Sequence, residues 1–188
     1  MPVKGEPLWL LATVSDELKS LGVPHALIGA MAMAVHGIVR ASDDLDILVT
    51  DRSVLSPASW DRLRQGGVAV DVRTGDDADP LAGKVRLDAE TTVGVDVVVA
   101  RHAWAADIIR RAPTRNVLSV ELPVVQPADV ILLKLYAGGA QDIADIKEIL
   151  AGGDRCALER AVEREIRRLP PDARETWTGL TLNRGLDR

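Results

Sequence analysis

The stretch that decides the fold runs from Ile28 to Val49, IGAMAMAVHGIVRASDDLDILV. His25–Gly29 (HALIG) is short and apolar enough for a buried strand, and Ala30–His36 (AMAMAVH) has the small residues and Met of a helix packed tightly on it. That helix stops at Gly37, and a polar elbow, Arg40–Asp44, leads into a second strand, Leu45–Thr50 (LDILVT). Successive side chains of a strand face opposite ways, so Asp44 and Asp46 share one side while Leu45 and Ile47 turn into the core. Two carboxylates about 7 Å apart along a strand repel each other unless a cation lies between them. Hard oxygen donors of this kind suit Mg²⁺ or Mn²⁺.

A third carboxylate belongs with them. Asp96 stands in VGVDVVVA, an otherwise apolar strand where an unpaired charge costs several kcal/mol, on the order of a buried ion, or is neutralised. Beside the Asp44/Asp46 strand it completes a three-carboxylate set. Two metals roughly 3.5–4 Å apart then fit between the set and the phosphates of a nucleotide. Gly29 serves the same design, because its missing side chain lets a triphosphate approach the backbone at the start of helix 30–36.

Outward from this centre, Pro7–Leu21 has helical apolar spacing and stops at Gly22, and Ser53–Gln65 is a second helical pattern broken by Gly66-Gly67. Val68–Arg73 and Val93–Ala100 are strand-like, with Gly75–Gly83 between them a turn-rich acidic loop. His102–Ala112 is helical, and Val117–Val125 is a strand that Pro123 confines to an edge. Then the texture turns wholly helical: Ala128–Ala137, Gln141–Leu150 and Asp154–Leu169, stopped by Pro170-Pro171. The fold class expected is α/β (α+β): a small mixed β-sheet core with helices over residues 1–125, a C-terminal helical bundle over 126–169, and a loosely ordered tail over 170–188.

Composition sets the outer limits. The 188 residues hold 23 Lys+Arg against 28 Asp+Glu, a net charge of −5, so there is no general attraction to nucleic acid and any polyanion contact must be local. Phe is absent and the aromatics are Trp9, Trp60, Trp104, Tyr136 and Trp177, too few for a base-stacking platform. The lone Cys156 excludes an internal disulfide and a Cys-based zinc site, and reads as a small buried hydrophobe on a helix. No apolar run has the length of a membrane span and the N-terminus lacks a signal-peptide core, so a cytoplasmic protein with no membrane partner is expected.

Gly29-Ala30 followed at this spacing by Asp44-Leu45-Asp46-Ile47 resembles the signature of the nucleotidyltransferase superfamily, the DNA polymerase β-like fold. Within it, GAMAMAVHGIVRASDDLDILV is most similar to the AbiEii/MenT-type toxin-like group, and Pro127–Leu150 (PADVILLKLYAGGAQDIADIKEIL) resembles that group's second block, a Lys on a helix followed by an Asp-x-x-Asp helix. The resemblance implies metal-dependent transfer of a nucleoside monophosphate from a nucleoside triphosphate to a hydroxyl of RNA, such as tRNA, or of protein, with a cognate antitoxin as a further partner. It makes Asp44, Asp46 and Asp96 ligands of Mg²⁺ (or Mn²⁺), Asp96 also the base for the attacking hydroxyl, and Lys134 the charge on the phosphates. Gly29, Ala30, Arg40 and Ser42 fall on its nucleotide-binding positions, and Asp142 and Asp145 on its Asp-x-x-Asp positions, where the resemblance has them either position Lys134 or contact the nucleotide substrate. Two departures stand out: Ala30 replaces a residue that is commonly Gly or Ser, and the usually basic loop before Asp142 is Gly138-Gly139-Ala140-Gln141.

Plainer readings stand beside these. Asp44 and Asp46 could cap a strand, Asp96 could pair with an arginine, and Lys134 could snorkel from an apolar helix. Asp142 and Asp145 could serve only the helix dipole. Arg160, Arg164, Arg167 and Arg168, interleaved with glutamates, form either a solvated salt-bridged face or a guide for RNA. For the molecule as a whole, the rivals are a non-catalytic nucleotide- or protein-binding module on the same fold and a small-molecule (antibiotic) nucleotidyltransferase, a group for which the chain is short.

Overall fold

The computed structural model describes residues 3–40, 42–77, 79–90 and 92–182. The order is α1 (Trp9–Ser20), β1 (His25–Ile28), α2 (Gly29–Val35), β2 (Asp44–Val49), two 3₁₀ turns (Arg52–Leu55, Pro57–Trp60), α3 (Asp61–Gln65), β3 (Ala69–Thr74), β4 (Leu81–Asp88), β5 (Gly94–Ala100) and α4 (Trp104–Arg111). It continues with β6 (Thr114–Val117), β7 (Val120–Pro123), α5 (Pro127–Ala137), α6 (Ala140–Gly152), α7 (Arg155–Glu165), a 3₁₀ turn (Ile166–Arg168) and α8 (Pro171–Leu182). The mixed α/β class is as expected.

Five strands form one sheet in the order β1-β2-β5-β4-β3; β2 and β5 run parallel and the other neighbours are antiparallel. Register divides the sheet into two unlike faces. Leu45, Ile47 and Val49 of β2 align with Val95, Val97 and Val99 of β5, and Val85 and Leu87 of β4 continue these rows; all are buried. The opposite face carries the row Asp46-Asp96-Arg86-Asp71 across β2, β5, β4 and β3. Burial of the β-branched rows fixes this register, since a one-residue slip would drive the charges into the core. Helices α1 and α4 pack on the sheet through β5 and β2, while α2 packs against α5.

Five local expectations are corrected. The segment read as a loop over Gly75–Gly83 already enters β4, which pairs with both β3 and β5. The single edge strand over Val117–Val125 is the end of a hairpin, β6–β7, turned by Leu118 and Ser119 at φ 46° and 73°. The tail is not loose as far as Leu182: α8 begins with Pro171 in its first turn and buries Ala173 and Trp177, and residues 183–188 lie outside the described set. Cys156 is exposed, not buried. The helical pattern over Ser53–Gln65 becomes two 3₁₀ turns and the short α3, hinged where Trp60 is buried and donates its indole N–H to Val54 O at 2.7 Å.

Candidate active site

Parallel pairing sets Asp46 of β2 directly beside Asp96 of β5, with Asp44 two residues along the same face. The three carboxylates therefore share one side of the sheet. Asp96 is 2% exposed, and its Oδ1 has no hydrogen-bond partner while Oδ2 takes Lys84 Nζ at 2.6 Å and Arg86 Nη1 at 3.4 Å. Arg86 also holds Asp44 Oδ1 at 2.5 Å and both oxygens of Asp88 at 3.0 Å through Nε. Asp88 first, then Asp44 and Asp96, keep this guanidinium firmly protonated. Burial, with the negative charge of Asp96 beside it, pushes the Asp46 carboxyl up to about 6.

Gly29 is where β1 passes into α2, at φ +67°. A Cβ there would overlap the Asp46 carboxylate, so glycine is needed both for the left-handed backbone and for the close approach of the acid. Around this point opens a cavity of about 380 Å³ whose lining includes Gly29, Ala30, Arg40, Ser42, Asp46, Lys134 and Asp142. All of these come from the sequence expectation. Ser42 spends its hydroxyl on the Asp44 backbone, donating to the carbonyl at 3.1 Å.

Across the cavity from Asp46, Lys134 of α5 is clamped by two acids of α6, Asp142 Oδ1 at 3.0 Å and Asp145 Oδ2 at 2.5 Å. Asp145 is fully buried and also takes Arg40 Nη1 at 3.3 Å and Gln141 Nε2 at 2.8 Å. Burial alone would raise the Asp145 carboxyl; the bonds from Lys134 and Gln141 outweigh it and hold the group below its usual range. Asp142 has two jobs, since its Oδ2 also accepts the Gly139 N–H at 3.1 Å and closes the first turn of α6. Asp96 is paired with an arginine, as its plainer reading expects, whereas Lys134 is buried between two acids instead of snorkelling from its helix.

Asp44, Asp46 and Asp96 have the oxygen chemistry for a hard divalent cation, and the buried, unpartnered Oδ1 of Asp96 is a donor atom left for one. No group of three or more metal-binding side chains is gathered among the described residues, and Lys84 and Arg86 already pair with Asp96 and Asp44. The donor set fits a cation through the free Oδ1 of Asp96, with the remaining charge of Asp96 and Asp44 contested by Lys84 and Arg86. Both were missed in the sequence. The signal was the alternation Lys84-Val85-Arg86-Leu87, a strand with one polar face, hidden by reading Gly83 as the end of a loop.

Among solved structures, the chain resembles the antibiotic-resistance factor ANT(2'')-Ia in complex with adenylyl-2''-tobramycin, at 13% identity and TM-score 0.54 over 85% of this chain and 96% of that one. The fold is that of the nucleotidyltransferases. A Thermotoga maritima protein assigned to the nucleotidyltransferases matches at 17% identity and TM-score 0.51, over 81% of this chain and 97% of that one. The solution structure of ANT(2'')-Ia matches at 12% identity and TM-score 0.50, over 85% of this chain and 90% of that one. No family model matches the sequence, and neither does any curated protein. No helix among the described residues is long and apolar enough to cross a membrane.

Proposed function

We propose that the protein is a divalent-metal-dependent nucleotidyltransferase that moves a nucleoside monophosphate from a nucleoside triphosphate to a hydroxyl acceptor. The observation that carries this reading is the register that sets Asp46 beside Asp96 next to the Gly29 turn, on the rim of the 380 Å³ cavity. In that site Asp44, Asp46 and Asp96 would hold Mg²⁺ or Mn²⁺, which when bound supplies charge neutralisation and Lewis-acid polarisation of the phosphate. Gly29 and Ala30 present backbone without bulk, and Lys134 and Arg40 bring positive charge to the nucleotide's side of the cavity. The Asp96 carboxylate accepts the acceptor's proton as its oxygen bonds to the α-phosphorus; the bond from that phosphorus to the β-phosphate oxygen breaks and pyrophosphate leaves.

The acceptor follows two readings. The toxin-like resemblance supports a hydroxyl of tRNA or protein, a cognate antitoxin and a cytoplasmic site of action. The second reading, a small-molecule acceptor, gains from the comparison: ANT(2'')-Ia is matched over 96% of its chain, so this chain is not short for that group. Incubating the protein with each labelled triphosphate, Mg²⁺, and tRNA, bulk protein or tobramycin separates them. Label should pass to one acceptor class with wild type and not with Asp96→Asn. Nucleotide bound without transfer in any arm would favour the non-catalytic binding module instead.

A further inference from the structure

Asp46 lines the large cavity, and Asp96, its neighbour on the same row, lines a second one of about 170 Å³ with Asp71, Arg73, Lys84 and Arg86. Paired carboxylates of adjacent strands thus line the two cavities. In the second, Arg73 is engaged by Asp71 at 2.8 Å, while Lys84 and Arg86 are engaged by the carboxylates of the proposed metal site and Arg86 also by Asp88. A divalent ion on the free Oδ1 of Asp96 and on Asp44 takes up the charge of these carboxylates, so their hold on Lys84 and Arg86 weakens once the metal is bound. The β4 backbone keeps both side chains on the polar face, and they are already 44% and 31% exposed at the mouth of the small cavity. Two cations less tightly held then stand beside the carboxylate that faces the acceptor, Arg86 still anchored by Asp88 through Nε and Nη2.

We infer that Lys84 and Arg86 are counter-ions that exchange partners: they hold the carboxylates without metal and, with metal bound, grip a phosphate carried by the hydroxyl acceptor. This rests on the nucleotidyl-transfer reading, which places the acceptor on the Asp96 side. A forked guanidinium beside a mobile ammonium matches phosphate oxygens, and the same pair repels a polyamine acceptor.

The test is calorimetric and needs no turnover. Mg²⁺ is titrated into the full chain, then inorganic phosphate into the metal-free and Mg²⁺-saturated forms. Wild type should bind phosphate at least tenfold more tightly when loaded. Lys84→Gln/Arg86→Gln should bind Mg²⁺ at least as tightly as wild type and lose at least tenfold in phosphate affinity, and Arg86→Lys should retain most of it. Lys84→Gln alone, at an exposed side chain, serves if the double variant unfolds, and should still lose severalfold. Bulk RNA or glycerol 3-phosphate displacing the phosphate identifies a polymer or a small metabolite as its source; displacement by neither overturns the acceptor role. Phosphate affinity indifferent to both substitutions in a chain that binds Mg²⁺ overturns this inference alone. A wild type that binds no Mg²⁺ overturns it together with the transferase reading.

Discussion

Two clusters of charge flank the same cavity, and they are finished to different degrees. On α5 and α6, Lys134, Asp142, Asp145 and Gln141, joined by Arg40 from the elbow before β2, form a closed set in which the buried acid accepts on both oxygens. On the sheet, beside Asp46, Asp44 and Asp96 share Lys84 and Arg86 with Asp88, and one oxygen of Asp96 is left over. Burial drives Asp46 up, whereas the bonds to Asp145 win over burial and bring it down. The same side chain is thus used in one place to hold helices together and in the other is left with an oxygen to spare. A fully satisfied buried network specifies structure; an incomplete one is retained where something else completes it.

Breaking the incomplete cluster should show first in chemistry. Asp46→Asn or Asp96→Asn is expected to lower kcat by roughly 10³-fold, the scale of lost charge stabilisation at a transition state, with an unchanged circular dichroism spectrum. Activity within tenfold of wild type would remove these residues from the reaction. Breaking the closed cluster should show in stability. Lys134→Met leaves Asp145 buried with a weakened partner set and is expected to cost about 3–5 kcal/mol in denaturant unfolding, the usual range for one missing member of a buried pair.

The opposite shifts of Asp46 and Asp145 sharpen the contrast as a function of pH, in metal-free protein. Asp46 has a folded pKa of about 6 against an ordinary value of 3.8, so its ionisation opposes folding; the penalty is complete above about pH 6 and gone below 3.8. Asp46→Asn should therefore stabilise the chain at pH 8, by up to about 3 kcal/mol, and by progressively less towards pH 4. Asp145 is shifted down, so its contribution is present above 3.8 and lost as pH falls through the lower folded value. Asp145→Asn should destabilise at pH 7, with the deficit narrowing only in acid. Parallel pH profiles for the two variants would erase the distinction between the clusters. At the hinge between them, Gly29→Ala imposes a side chain at φ +67° and against Asp46, and should cost at least about 1–2 kcal/mol.

The two clusters were also unequally legible in the sequence. Asp44-Leu45-Asp46 and Asp96 sit in short apolar strands, where a charge is conspicuous, and the alternation itself states which side it faces. Lys134, Asp142 and Asp145 lie within helices whose period is equally clear, though nothing local says that the lysine is clamped by the two acids. Lys84 and Arg86 were invisible for a different reason: on the polar face of β4 they look like surface charges, and only the pairing of Arg86 with Asp96 brings them to the site. The β6–β7 hairpin was hidden because its turn uses Leu118 and Ser119 at positive φ where Gly or Asn is the usual signal. By contrast α8 announced itself, with Pro171 at its start and Ala173, Trp177 and Leu180 at helical spacing, and was overlooked behind the double proline.

The smallest effect tests the border between the clusters. Asp142 belongs to the closed set, yet unlike Asp145 it lines the cavity, and its two oxygens serve separate ends: one closes the α6 turn at Gly139, the other takes Lys134. Asp142→Ala removes a first-turn bond and should cost about 1 kcal/mol, the usual price of a lost cap. Asp145 keeps Lys134 in place, so the fold should otherwise stand. What changes is the charge seen from the cavity, where one negative group disappears beside the lysine. If Lys134 supports the nucleotide's phosphates, triphosphate affinity should rise severalfold in Asp142→Ala despite the lower stability. If affinity falls in step with stability, the lysine belongs to the architecture alone, and the incomplete cluster on the sheet must hold the phosphates without it.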